Sequence, residues 1–289
     1  MRRFLKILAP ISFAVLLTGT PAAAQAQAQQ GSNASGSAGP SSGNLAAPNT
    51  KVGSSASPLT VDNSLELMNS KERDDYKKFE ALSPEDVPKK IKAGEDFLKK
   101  YNSSPARAQV YSQLTVLYIQ ANQLDKGFAA GSSALQLNPN DVRTMGVLSQ
   151  TMARTANAGD PGADQRLKDA EKYGKQAVAV APTLVKPATM DDKFFETNKS
   201  DALSMAHSGL GTVSVREGKY AEAIPDLKQA IELSTRPDVT NYYLLGVANL
   251  NSEHYPDAAA AFAKCAETPG NLQAACKENA DKAKAHPGS

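Results

Sequence analysis

Two cysteines, three histidines and the adjacent aspartates Asp191 and Asp192 are the side chains of this sequence singled out as able by type and spacing to do chemistry. Cys265 and Cys276 lie close together near the C-terminus, and a disulfide is the first reading for an exported chain. A zinc site needs about four nitrogen or sulfur ligands, and His207, His254 and His286 stand at no ligand spacing from the thiols. A redox-active thiol pair is the sharper alternative, but CxxC spacing is missing. Asp191 and Asp192 could attract a cation, yet adjacent carboxylates beside Lys193 at a helix start are explained by the positive end of the helix dipole. No metal is assigned. There is no phosphate-cradling glycine loop with Lys and Ser/Thr, no His-Glu-x-x-His helix and no Gly-x-Ser-x-Gly elbow, so the chain reads as a non-enzyme without a cofactor.

The elements that would carry these residues begin with an export signal. Arg2, Arg3 and Lys6 precede the apolar run from Ile7 to Leu17, and Ala22, Ala23 and Ala24 offer small side chains for cleavage. The run is too short to span a bilayer, which takes roughly 20 apolar residues. Thr20 stands where a lipoprotein would need cysteine. The expectation is a soluble periplasmic or secreted protein, with no membrane insertion after cleavage. Removing the three signal cations from 32 basic side chains leaves 29 against 30 acidic ones. That balance supplies no basic surface for displacing counterions from phosphates, so nucleic acid is excluded as a partner. Residues 25–60 are a Gln/Ala/Ser/Gly/Pro tract with isolated Leu45, Val52 and Leu59, a flexible linker that buries too little apolar surface to order itself.

From Val61 the composition shifts to Leu, Ala, Lys, Glu and Tyr at helical spacing, which predicts an all-α domain over 61–289. Ser83 and Pro84 predict the cap and first turn of a helix ending near Tyr101. Self-similar units follow at about 108–141, 142–182, 204–237 and 239–270, with an amphipathic cap at 271–286. Tyr111, Leu114, Tyr118, Leu124, Gly127, Ala134, Leu137 and Pro139 mark the first. Leu210, Gly211, Gly218, Tyr220, Ala223, Leu227, Ala230 and Leu233 mark the third, and Tyr242, Leu245, Gly246, Tyr255, Ala258, Phe262 and Cys265 the fourth. Small residues at facing positions let helices approach, and bulky ones interdigitate with the next unit. The second unit holds Met145, Leu148, Met152, Ala170 and Ala177, with an insertion at Asn157–Gln165 that reads as a loop or an extended helix end. A second insertion runs from Thr183 to about Ser200, and Met190 to Arg216 predicts one unusually long helix.

This spacing resembles that of tetratricopeptide repeats, over about Ser83 to Ala266. The stretch EDFLKKYNSSPARAQVYSQL is similar to repeats of bacterial envelope members of that family. The resemblance implies an α-solenoid of antiparallel helix pairs forming a right-handed superhelix, with the first helices lining a concave groove that binds a polypeptide. Carried over position by position, it places Gln109, Ser112, Val116, Ile119 and Gln120 in the groove from the first unit, and Arg143, Gln150, Ala153 and Arg154 from the second. Met205, Ser208, Thr212, Val215 and Arg216 come from the third, and Thr240, Tyr243, Val247, Leu250 and Asn251 from the fourth. Arg143, Arg154 and Arg216 could pair with acidic groups of a peptide, or with neighbouring Asp and Glu of this chain. His207 occupies a large-residue position of the family pattern and is expected to be packed, while His254 is expected in solvent. The Lys/Asn clamp with which co-chaperone members grip C-terminal carboxylates is replaced by Ser112, Val116, Gly146 and Gln150.

The function expected from the sequence is a non-catalytic adaptor that binds a protein or peptide partner in the groove. Two alternatives stand beside it: a structural component of an envelope assembly that uses the solenoid edges, and a small-ligand or glycan-binding protein built on the insertions around Gly159–Gln165 and Thr183–Ser200.

Overall fold

Side-chain caps start the helices. Asn69, Asp86, Asp141, Asp191 and Asp238 each accept a hydrogen bond from a backbone N–H of the first turn that follows, a cap worth about 1 kcal/mol. The computed structural model describes residues 64–188 and 190–286, so the signal-peptide and linker readings at 1–60 lie outside the described residues. The regular structure among the described residues is helical throughout. A short α1 (Ser64–Leu67) precedes α2 (Ser70–Glu80) and α3 (Val87–Lys100). Then come α4 (Arg107–Gln120) with α5 (Leu124–Leu137), and α6 (Val142–Thr155) with α7 (Ala163–Val180). After a 3-10 turn at Ala181–Thr183 come α8 (Asp192–Arg216) with α9 (Tyr220–Glu232), α10 (Val239–Asn251) with α11 (Tyr255–Ala266), and α12 (Gln273–Lys284). Sequential helices pack in neighbouring pairs, the α-solenoid architecture that the resemblance implied.

Two boundaries show how the chain chooses its starts. The helix expected at Ser83 begins instead at Val87: Ser83 closes a turn by accepting from the N–H of Glu85, and the Asp86 carboxylate accepts from Lys89. Asp86 with Pro88 in the first turn offers a charged cap and a preset φ, which outcompetes Ser83 and Pro84. The long helix expected from Met190 forms as α8 over 25 residues, with Asp191 as its cap. The insertion at Asn157–Gln165 leaves the helix path from Asn157, turns through left-handed glycines at Gly159 and Gly162, and rejoins helix at Ala163.

The core is a row of local clusters along the stack, as repeat architecture requires. At the N-terminal end Tyr76, Phe79 and Phe97 of α2–α3 pack with Val110, Leu114 and Leu117 of α4. At the other end α12 lays Ala280 and Ala283 against Ala258 and Phe262 of α11, and the disulfide Cys265–Cys276 joins the same two helices.

The closest approach is between α6 and α8. A β-carbon on Gly209 would overlap Ser149 Oγ and stand 2.6 Å from the Ser149 backbone carbon, and one on Gly146 would stand 2.5 Å from the Ala202 carbonyl oxygen. Gly209→Ala gains about 1 kcal/mol of helix propensity but overpacks against backbone, and a net loss of about 2 kcal/mol is expected. Gly131→Ala meets only the end of the Leu148 side chain and should cost less. Chemical denaturation reads both; a Gly209→Ala chain with an unchanged midpoint would mean that α6 and α8 separate freely.

Candidate functional site

The first helices of the four units bring the proposed groove residues onto one set of neighbouring helices, but unequally. Ser112, Val116, Gln150, Arg154, Met205, Ser208 and Thr212 are buried. Gln109, Ile119, Gln120, Arg143, Thr240, Tyr243 and Val247 are half-buried, and Arg216 and Asn251 are exposed. The buried members correct the expectation that every one of these positions faces a partner. For the members on α6 and α8 that surface is taken by the adjacent helix, because Gly146 and Gly209 let the two helices approach closely. Val116 of α4, Val147 of α6 and Met205 of α8 form one apolar cluster, with Ile119 packed on it. Ser112 Oγ lies 2.7 Å from Thr144 Oγ1, which donates to Asp141 Oδ2.

Arg154 is committed inside the protein. Its Nη1 donates to Asp238 Oδ2 at 2.6 Å, and its Nη2 donates to Ser208 Oγ at 3.0 Å and Asn241 Oδ1 at 3.3 Å. Ser208 in turn donates to Asn241 Oδ1 at 2.6 Å. One guanidinium thereby joins α6, α8 and α10 across three repeats. Burial works to raise the Asp238 carboxyl, but the charge and hydrogen bond of Arg154, aided by Thr240, hold it below the ordinary value.

Arg216 is also used internally. Its two terminal nitrogens donate at 2.7 Å to the carbonyls of Ala156 and Arg154, which closes the C-terminal end of α6. Burial lowers its guanidinium from the ordinary value. Of the two readings for the arginines, pairing within the chain holds for Arg154 with Asp238, and Arg216 is spent on backbone carbonyls.

Arg143 differs. Among the described residues it forms no hydrogen bond or ion pair; burial lowers its guanidinium, while the charges of Asp141 and Asp201 oppose that shift.

The remaining candidates are structural. His207 is half-buried on α8, with Nδ1 2.7 Å from Asp226 Oδ1 of α9. His254 is exposed at the start of α11. Asp191 caps α8, and Asp192 pairs with Lys186 at 2.9 Å. Among the described residues no cluster of His, Cys, Asp and Glu could hold a metal ion, and no helix is long and apolar enough to cross a membrane.

Sequence reasoning missed Asp238 and Asn241, which complete the Arg154 network. Asp238, directly before the apolar start of α10, carried a legible cap signal. Its ion pair with a residue 84 positions earlier did not.

No protein-family model and no curated protein matches the chain. Several solved structures are similar to it, two of them as follows. A thermophilic TPR protein of Thermus thermophilus aligns at 19% identity and a TM-score of 0.45, covering 77% of this chain and 97% of that one. A tetratricopeptide repeat protein from Parabacteroides merdae aligns at 16% identity and a TM-score of 0.25, covering 77% and 100%.

Proposed function

We propose that this chain is an exported, non-catalytic scaffold of the tetratricopeptide type that binds a protein partner on the faces of its first helices. The reading rests on α10, where Thr240, Tyr243, Val247 and Asn251 follow one another along one helix face and keep accessible surface, while Tyr243 and Val247 are backed by the Phe262 cluster. A half-buried aromatic and aliphatic stripe with a polar end suits a partner's side chains, because the backing is already packed and little ordering remains to be done. Gln109, Ile119, Gln120 and Arg143 extend the surface at α4 and α6. Ser112, Val116, Gln150, Arg154, Met205, Ser208, Thr212 and Arg216 act one step back, holding the helices that present it.

The test is crosslinking and mass spectrometry of the mature protein in native extract, with a Thr240→Lys, Asn251→Lys double variant beside wild type and a thermal melt as the folding control. Recovery of the partner is expected to fall about tenfold in the folded double variant. Unchanged recovery would reject the α10 face. A second reading, contact through the solenoid edge, is favoured by Val185 and Phe194, which stand 80% and 53% exposed at the α7–α8 insertion. Val185→Asp and Phe194→Asp would then remove the partner instead.

A further inference from the structure

The cap at the C-terminal end is held by little besides its disulfide. α12 is 12 residues long, and isolated helices shorter than roughly 12–15 residues are marginal in water. Its buried side chains are Cys276, Ala280 and Ala283 on one face, so it offers the stack two methyl groups and a sulfur. At its ends Gln273 donates to the Ala266 carbonyl at 3.1 Å, and His286 stacks on Tyr255 with centroids 3.6 Å apart. The covalent bond from Cys276 to Cys265 of α11 is the strong tie.

What the cap covers is the backing of the α10 surface. Phe262 of α11 is fully buried and packs in one cluster with Ala258, Ala259 and the cap's Ala280 and Ala283. The same ring meets α10: a β-carbon on Gly246 would stand 2.6 Å from it, and Tyr243 meets it edge-on, with centroids 5.9 Å apart and planes at 62°. Tyr243, Val247 and Leu250 all pack against this cluster. One ring thus belongs both to the cap's contact and to the support of the α10 stripe, and close-packed side chains transmit a displacement rather than absorb it.

We propose that the Cys265–Cys276 disulfide is a redox switch for recognition on α10, an inference that rests on the α10 reading of function. Oxidised, it keeps α12 on the Phe262 cluster and holds Tyr243 and Val247 in place before a partner arrives, which lowers the ordering cost of binding. A dithiol reductant opens it. One thiolate attacks a cystine sulfur, and the second thiol then displaces the mixed disulfide. The products are two cysteine thiols and the reductant's own disulfide, so two electrons and two protons pass to the protein. α12 then lifts, Phe262 loses the cap, and the backing of Tyr243 and Val247 loosens.

Hydrogen exchange of the full chain, oxidised and in dithiothreitol, reads the structural half. Amides of 243–250 should exchange about tenfold faster after reduction, while those of α4 and α6 stay unchanged. The Cys265→Ala, Cys276→Ala variant should match the reduced chain with or without dithiothreitol. Ala280→Asp, which keeps the disulfide but sets a charge into the Phe262 cluster, should loosen the same amides. Crosslinking in native extract reads the functional half: the cystine-free variant should recover about fivefold less partner than wild type. Unmoved α10 amides on reduction, equal acceleration throughout the stack, or equal recovery by wild type and the cystine-free variant would each overturn the switch alone. Unchanged recovery by the Thr240→Lys, Asn251→Lys variant would instead remove the α10 reading, and the switch of recognition with it, whatever the exchange shows.

Discussion

Replacing Arg154 with alanine should destabilise the protein by about 4 kcal/mol, because it leaves the Asp238 carboxylate and the Ser208–Asn241 pair buried without their cation. For a domain of this size that corresponds to a fall in Tm of about 10 °C. Arg154→Lys should rescue little, since a single ammonium cannot span Asp238, Ser208 and Asn241 as the planar fork does. The Arg154→Met, Asp238→Asn double variant removes both charges, keeps a side-chain oxygen for the α10 cap and should recover much of the loss. The pH dependence has a definite sign. The folded Asp238 carboxyl lies below its unfolded value, so its contribution is complete above the unfolded value and is lost as pH falls through the folded one. Asp238→Asn should flatten that acid limb. A Tm for Arg154→Ala within about a degree of wild type would remove the network from any role in holding α6, α8 and α10 together.

Reduction of the Cys265–Cys276 disulfide is expected to cost about 3 kcal/mol by the loop-closure argument for a separation of 11 residues. In a repeat stack that loss is local. Among the described residues α12 packs chiefly on α11, so it should open before helices packed on two neighbours. Hydrogen exchange should show amides of α12 losing protection on reduction, while those of α6 and α8 keep theirs. Both cysteines are fully buried, so reduction in the native state should be slow and follow opening of the cap. Labelling of both cysteines in unreduced, denatured protein would overturn the pairing, and equal melting of the oxidised and reduced forms would overturn its stabilising role.

These expectations, with the Gly209→Ala loss, bear on what a partner would meet. The stack that carries α10 is tied by one buried guanidinium joining α6, α8 and α10 and by one disulfide between α11 and α12. A variant intended to probe recognition by reversing the charge of Arg154 or Arg216 would first disturb folding. Thr240→Lys removes one side-chain hydrogen bond to Asp238 and Asn251→Lys one to the Val247 carbonyl, smaller losses that the thermal melt of the double variant reads.

The amino-acid sequence by itself determined the helices and their pairing. Apolar residues at helical spacing, Asp and Asn caps before apolar starts, and small residues such as Gly127, Gly211 and Gly246 at facing positions are local signals, and each reads out within one pair. The long α8 was legible for the same reason, as was the break in the inserted segment, which leaves the helix over Asn157–Gly162 and has already rejoined it at Ala163. Tertiary structure decided which groove positions remain open. Gly146 and Gly209 bring α6 and α8 so close that Gln150, Met205, Ser208 and Thr212 become packing, a consequence of how one repeat leans on the next rather than of any motif within it. The fate of the arginines was settled in the same way. Arg154 has equal sequence claims to a partner's carboxylate and to one of its own chain, and the stacking of three repeats, by placing Asp238 at 2.6 Å, decides between them.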